Sequence, residues 1–203
     1  MKDLIKNFTL FALLCIVFSS LSGCQTASTQ KGPDGEFDPV STDTKKKDDG
    51  TYPPAPAAIA QAEIKMVDNA AFKLEDKKGK VILFNLWGIW CGPCIREMPH
   101  LVELQEKYKD KNFEIIGLNV GDQDMQPESD EAIKAFAEKQ KLNYQLGYAD
   151  RKLFEEFIKI SKMTGVPQSI LINRDGKLIG VFTGGGQNVI NSMKETVAKA
   201  VGE

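Results

Sequence analysis

Val81-Ile82-Leu83-Phe84-Asn85-Leu86-Trp87-Gly88-Ile89-Trp90-Cys91-Gly92-Pro93-Cys94 decides the fold of this chain. Its opening seven residues, Val81 to Trp87, are apolar except for Asn85. That is the pattern of a strand buried on both faces. Downstream, Ile95, Met98, Leu101, Leu104 and Tyr108 recur at helical spacing, which predicts a helix over 94–108, kinked at Pro99. The cysteine pair therefore falls on the turn between a strand and a helix N-terminus, where unpaired N–H groups and the helix dipole stabilise a thiolate. Cys91, at or just before the first turn, is the expected exposed nucleophile, and Cys94, one turn further in, the resolving thiol. Pro93 suits a first turn, where a missing N–H would have no partner anyway. Gly92 leaves the approach open, and Trp87 and Trp90 flank the loop as walls.

The pattern continues outward. Residues 63–67 and 71–74 alternate as short strands, and 113–120 reads as a second buried strand. Helices are predicted over 128–141, 151–160 and 188–201, with a short strand at 144–146. Strands 169–172 and 178–182 are joined by Asn173-Arg174-Asp175-Gly176, a hairpin turn. The resulting order, β-α-β-α-β-α-β-β-α, predicts an α/β domain with a mixed sheet flanked by helices.

The chain has 203 residues, a formal net charge of -2 and four cysteines. No basic excess argues for nucleic acid. Lys2 and Lys6, then the apolar run 8–20, then Leu21-Ser22-Gly23-Cys24 have the layout of an export signal. The run is short for a spanning helix, which needs about 20 apolar residues; a single N-terminal anchor is the alternative. Leu21 to Cys24 resembles the lipobox of bacterial lipoproteins, whose resemblance implies cleavage before Cys24 and lipid on that residue. Two or three acyl chains anchor durably where one binds marginally. Gln25 is not the aspartate associated with inner-membrane retention, so an outer membrane is also open. Cys15 would leave with the signal, and only Cys91 and Cys94 would remain as thiols. Residues 24–58, rich in Thr, Ser, Lys, Asp, Gly and Pro, are read as a tether. Roughly 34 residues of coil span about 30 Å. The globular domain is drawn as 59–203.

Val81 to Pro99, together with Thr164-Gly165-Val166-Pro167-Gln168-Ser169-Ile170-Leu171-Ile172-Asn173-Arg174-Asp175-Gly176-Lys177, resembles the thioredoxin superfamily, and within it the membrane-anchored TlpA/ResA branch. The resemblance implies a thioredoxin-like fold over 59–203 and thiol–disulfide oxidoreductase activity. It implies that Pro167 is the cis-proline packed on the disulfide, and that Val166 offers backbone hydrogen bonds to a substrate strand. It implies that Glu97 tunes the thiols and assists proton transfer; the plain alternative is an exposed helix glutamate. Asn85 stands where cytoplasmic thioredoxins carry a buried aspartate. Substrates would be protein disulfides such as those of apocytochrome c, with electrons from a membrane thiol donor. Gly92-Pro93 is the thioredoxin dipeptide, associated with a reducing potential near about −270 mV. No cofactor beyond the Cys91–Cys94 pair is called for.

Other readings are a thiol peroxidase, with Arg96 near the pair, or a binding module or metallochaperone. A zinc site wants four ligands, and beyond the pair His100 is the sole histidine. Gly184-Gly185-Gly186 lacks the Lys-Ser/Thr of a phosphate loop and is read as a turn into the last helix. Asp122 opens like a calcium loop, but Pro127 stands at the sixth position, so 122–131 is read as an exposed acidic loop.

Overall fold

The computed structural model describes residues 52–202. The predicted signal, Cys15, the predicted lipidation site Cys24 and most of the predicted tether lie outside the described residues.

The apolar run is the middle of the molecule. Strand β3 (Val81–Trp87) is buried along its whole length, in a five-stranded sheet of order β5-β4-β3-β6-β7. It pairs in parallel with β4 (Phe113–Asn119) and antiparallel with β6 (Gln168–Ile172). β5 (Gln145–Tyr148) and β7 (Leu178–Thr183) are the outer strands. A strand buried on both faces must be covered twice. Ile82, Phe84 and Leu86 meet Leu153, Phe154 and Phe157 of α4 (Arg151–Ser161). Val81 and Leu83 meet Leu101 and Leu104 of α2 (Gly92–Tyr108), with Met193 and Val197 of α5 (Gln187–Val201). α3 (Asp130–Gln140) brings Ile133 beneath the carboxyl end of β3, beside Trp87.

Helix starts follow their caps. Ser129 Oγ accepts from Ala132 N–H at 3.2 Å, and Asp150 Oδ1 accepts from Leu153 N–H at 2.7 Å. The hairpin turn forms as expected. Asn173 N–H donates to Lys177 O at 2.9 Å, and Gly176 takes φ +75°, which a side chain would disfavour.

The domain begins earlier than composition suggests. Residues 53–58 do not end a tether: Leu178 N–H donates to Pro53 O and Ala55 N–H to Gly176 O, both at 2.9 Å. Helix α1 (Ala57–Ala60) then buries Ile59 in the core. A proline-rich segment has no apolar period to read, yet its Pro53 carbonyl accepts from an N–H on the outer edge of a sheet and its Ala55 N–H donates to the turn before that strand. The early hairpin is shorter than expected. β1 (Ile64–Lys65) and β2 (Ala71–Phe72) have two residues each, and Leu74 opens a 3-10 turn. Met66 bridges Gly147, and Val67 N–H donates to Leu146 O at 2.9 Å, so this hairpin lies along the outer edge of β5.

Candidate active site

At the carboxyl end of β3 the chain turns through Gly88. A Cβ there would stand 2.7 Å from the Trp90 indole nitrogen, so the ring folds back over a residue that has no side chain. Trp90 is 43% exposed and donates its indole N–H to Gly121 O at 2.9 Å. Trp87 is no wall. As the last strand residue it is wholly buried and stacks on Phe136 at 5.3 Å between centroids, below the cysteines.

Cys91 is the N-cap of α2, which starts two residues before the predicted helix start. Its Sγ accepts from Cys94 N–H at 3.2 Å, so one orphan donor of the first turn already points at sulfur. Cys91 and Cys94 form a disulfide with Cα atoms 5.3 Å apart. The expectation of an exposed Cys91 is corrected: the residue is 3% exposed, its sulfur turned inward to within 3.6 Å of Val166 O. Gly92 and Pro93, in the first turn, are exposed. The Val166–Pro167 peptide is cis. The two segments that carry the sequence resemblance, 75 residues apart at this contact, thus meet at one sulfur.

Two supports had no sequence signal of their own. Gln168, buried at the start of β6, donates from Nε2 to Met163 O at 3.0 Å and to Gly165 O, and accepts from Ser161 Oγ at 2.6 Å. It fastens the loop that carries Val166 and Pro167. Gly185, in the turn into α5, lies against the cysteine loop: a Cβ there would stand 2.7 Å from Pro93 O. The glycine run does turn the chain into α5, and its middle member also admits the neighbouring backbone.

Glu97 lies on the inward face of α2 and is 1% exposed, so it is not an ordinary surface glutamate. Asn85 Nδ2 donates to Glu97 Oε1 at 2.6 Å and to Ser169 Oγ at 3.0 Å. Burial disfavours the carboxylate and pushes its pKa up to about 8, only partly offset by the Asn85 hydrogen bond. Among the described residues no charged partner contributes to the shift. The carboxyl group is therefore mostly protonated at neutral pH and poised to exchange its proton. His100 stands apart from this arrangement, with Nδ1 3.2 Å from Lys194 Nζ and 3.6 Å from Glu103 Oε2.

The acidic loop after β4 is mostly exposed, but Glu128 is half-buried and accepts from Asn119 Nδ2 at 2.6 Å. Burial, offset by that bond, raises its pKa. A cleft of about 800 Å³ opens beside this loop, lined by Ala57, Lys65, Met125, Tyr148 and Lys152 among others. None of Trp90, Cys91, Cys94, Val166 or Pro167 lines it.

This geometry has known counterparts. Residues 49–200 match the Redoxin family. The chain is 38% identical over 118 residues to Thiol-disulfide oxidoreductase ResA of Bacillus thuringiensis subsp. konkukian, covering 58% of this chain and 63% of that protein. It is 37% identical over 121 residues to the protein of the same name from Bacillus anthracis, with the same coverage. The chain thus spans less than two thirds of the length of these curated relatives. Among solved structures, a thiol:disulfide interchange protein of the thioredoxin family from Chlorobium tepidum superposes with a TM-score of 0.61 at 26% identity, covering 75% of this chain and 98% of that one. The thioredoxin-like fold follows from these matches together with the observed sheet.

Proposed function

Since the chain belongs to the Redoxin family, we propose that it is a thiol–disulfide oxidoreductase that reduces disulfides of exported proteins, held at a bacterial membrane by lipid on Cys24. The observation that carries the reading is the Cys91–Cys94 disulfide at the N-terminus of α2, against Val166 O and the cis-Pro167.

In the reduced protein, the Cys91 thiolate attacks a substrate disulfide. A Cys91–substrate bond forms, and one substrate sulfur leaves as a thiolate that takes a proton from water. Cys94 passes its proton to the Glu97 carboxylate, and its thiolate attacks Cys91 Sγ. The mixed disulfide breaks, the second substrate thiolate leaves, and the chain holds the disulfide described above. Two electrons have moved to substrate. On re-reduction by a membrane dithiol donor, attack on Cys91 Sγ expels Cys94, and protonated Glu97 supplies the proton that the departing thiolate needs. A carboxyl group with its pKa near 8 serves in both directions near neutral pH. Trp90, Gly92 and Pro93 form the exposed rim, and the Val166 backbone offers hydrogen bonds to an extended substrate such as a segment of apocytochrome c.

The reducing direction rests on the Gly92-Pro93 dipeptide, and the anchor on Leu21-Ser22-Gly23-Cys24. The domain would then act in the periplasm or outside the cytoplasmic membrane. The equilibrium potential of the Cys91–Cys94 pair tests the direction. A value near about −270 mV supports a reductase, and one near about −120 mV reverses it. Cys24→Ala, followed by fractionation, tests the anchor: loss from the membrane fraction is expected.

A further inference from the structure

The cleft beside the acidic loop and the cysteine loop share a wall. Asn119, Gly121 and Glu128 line the cleft. The same three residues hold Ile89 and Trp90, the two residues that lead into Cys91. Asn119 ends β4 and is buried. Its amide is used at both atoms: Oδ1 accepts from Gly121 N–H at 2.8 Å, and Nδ2 donates to Glu128 Oε2 at 2.6 Å. Gly121 O in turn accepts the Trp90 indole N–H at 2.9 Å. Burial raises the Glu128 pKa, and the Asn119 amide and the Ile89 N–H oppose that by bonding the carboxylate. Ile89 and Trp90, adjacent in the chain, are thus tied to one buried amide by two routes.

Both loops are built to keep this arrangement fixed. Gly121 takes φ +88°, and a Cβ there would run into Gln126 O. Asp122 N–H donates to Gln126 O, and Asp122 Oδ1 accepts from Gln126 N–H, both at 2.9 Å. The loop is closed on itself and presents Gly121 O as a fixed acceptor. Across from it, the Trp90 ring folds over Gly88, as described above. The Cys91 N–H is held separately, by Gly88 O at 3.1 Å, and its sulfur faces Cys94 N–H and Val166 O. Neither contact passes through Asn119 or Glu128. The clasp therefore bears on the exposed ring and not on the sulfurs.

We propose that Asn119 and Glu128 are positioning residues for substrate binding: acting through Gly121 O and the Ile89 N–H, they hold the exposed Trp90 ring in the attitude that a substrate polypeptide meets beside Cys91. A ring fixed before the encounter loses no further rotamer freedom on binding, so the clasp lowers KM and leaves the sulfur chemistry alone. The substrate role rests on the disulfide-exchange reading given above; the held ring does not.

The experiment uses the oxidised full chain. Its two tryptophans give two indole N–H signals in solution NMR, and Trp90→Phe shows which belongs to Trp90. Solvent exchange of that proton is then followed in wild type and in Glu128→Ala. Exchange about fivefold faster in the variant is expected, the size of one modest hydrogen bond; an unchanged rate overturns the proposal. With insulin as the disulfide substrate, Glu128→Ala is expected to raise KM about fivefold, with kcat and the Cys91–Cys94 equilibrium potential unchanged. Glu128→Gln, which keeps a carbonyl oxygen for the Asn119 amide, is expected to return KM toward the wild-type value. A lowered melting temperature with unchanged KM marks the clasp as packing alone, and a shifted potential marks it as tuning the cysteines; either overturns the proposal. Wild-type protein inert toward insulin would sink the redox reading and the substrate role with it, while the held ring would still be read from the exchange rates.

Discussion

Two glutamates at opposite ends of the central strands show how one residue type is put to different ends. Glu114, at the amino end of β4, is buried, and burial alone would raise its pKa. Lys77 Nζ at 2.9 Å and Lys80 Nζ at 3.0 Å reverse that, so its pKa falls below the ordinary carboxylate value. Glu97, over the carboxyl end of the sheet, is buried at least as deeply but has only the neutral Asn85 amide, and its pKa rises to about 8. The paired carboxylate fastens the 3-10 turn before β3 to β4. The unpaired one holds a proton that it gives up near physiological pH. What separates a structural acid from an exchanging one here is the pair of cations beside Glu114, together with its shallower burial.

The strongest break in this contrast comes from the chemistry at the carboxyl end. Cys91→Ser is expected to abolish disulfide reduction in an insulin assay, while Cys94→Ser accumulates mixed disulfides visible on non-reducing gels. A Cys94→Ser protein that traps nothing would count heavily against the exchange mechanism. Glu97→Gln is expected next, slowing reduction by about 100-fold, as for loss of a general acid or base. It should also remove the dependence of the rate on a group titrating near pH 8.

Stability should respond in opposite pH ranges at the two ends. Glu97 binds its proton more tightly folded than unfolded, so its contribution is full below pH 4.5 and is lost as pH rises toward about 8. The loss runs at up to about 1.4 kcal/mol per pH unit. Glu114 has a lowered pKa, so its contribution is present above the ordinary carboxylate range and is lost as pH falls. Urea unfolding across pH should show Glu97→Gln flattening the alkaline limb and Glu114→Gln the acid limb. At neutral pH Glu114→Gln is expected to cost about 1 kcal/mol, since Lys80 is partly exposed and the pair is screened. The smallest effect separates two neighbouring glycines. Gly185→Ala should lower the melting temperature by a few degrees, because its methyl meets Pro93 O, whereas Gly186→Ala, with open space around it, should leave it nearly unchanged.

The two ends also differ in how much of them could be read from sequence. The carboxyl end is built on β3, whose seven apolar-rich residues and following cysteines lie together in the chain. Periodicity alone therefore placed the disulfide at a helix N-terminus. The burial of Cys91 was not legible, because the loop that carries Val166 reaches its sulfur from the far side of the sequence; that of Glu97 was not, because it rests on Asn85 of the central strand. Trp87 and Trp90 look alike as flanking aromatics. Only the extent of β3 shows that Trp87 is its last, doubly buried residue while Trp90 follows the turn. Gln168 gave no signal of its own because its partners are mostly backbone carbonyls of the loop it holds. The segment 53–58 was misread because composition describes a chain's tendency alone, while its structure here comes from an edge strand that needed partners.

That same segment bears on the colloidal behaviour of the domain. Sheets with an uncovered outer strand offer a template for copies of themselves. Pro53 and Ala55 occupy the first positions of β7 and the turn before it, while Met66 and Val67 occupy the outer side of β5. A shortened protein begun at residue 59, where composition would draw the domain, would keep the cysteine pair and lose the strap on β7. Its expected failing is self-association in storage rather than loss of redox chemistry, and light scattering would register that before any assay of thiols did.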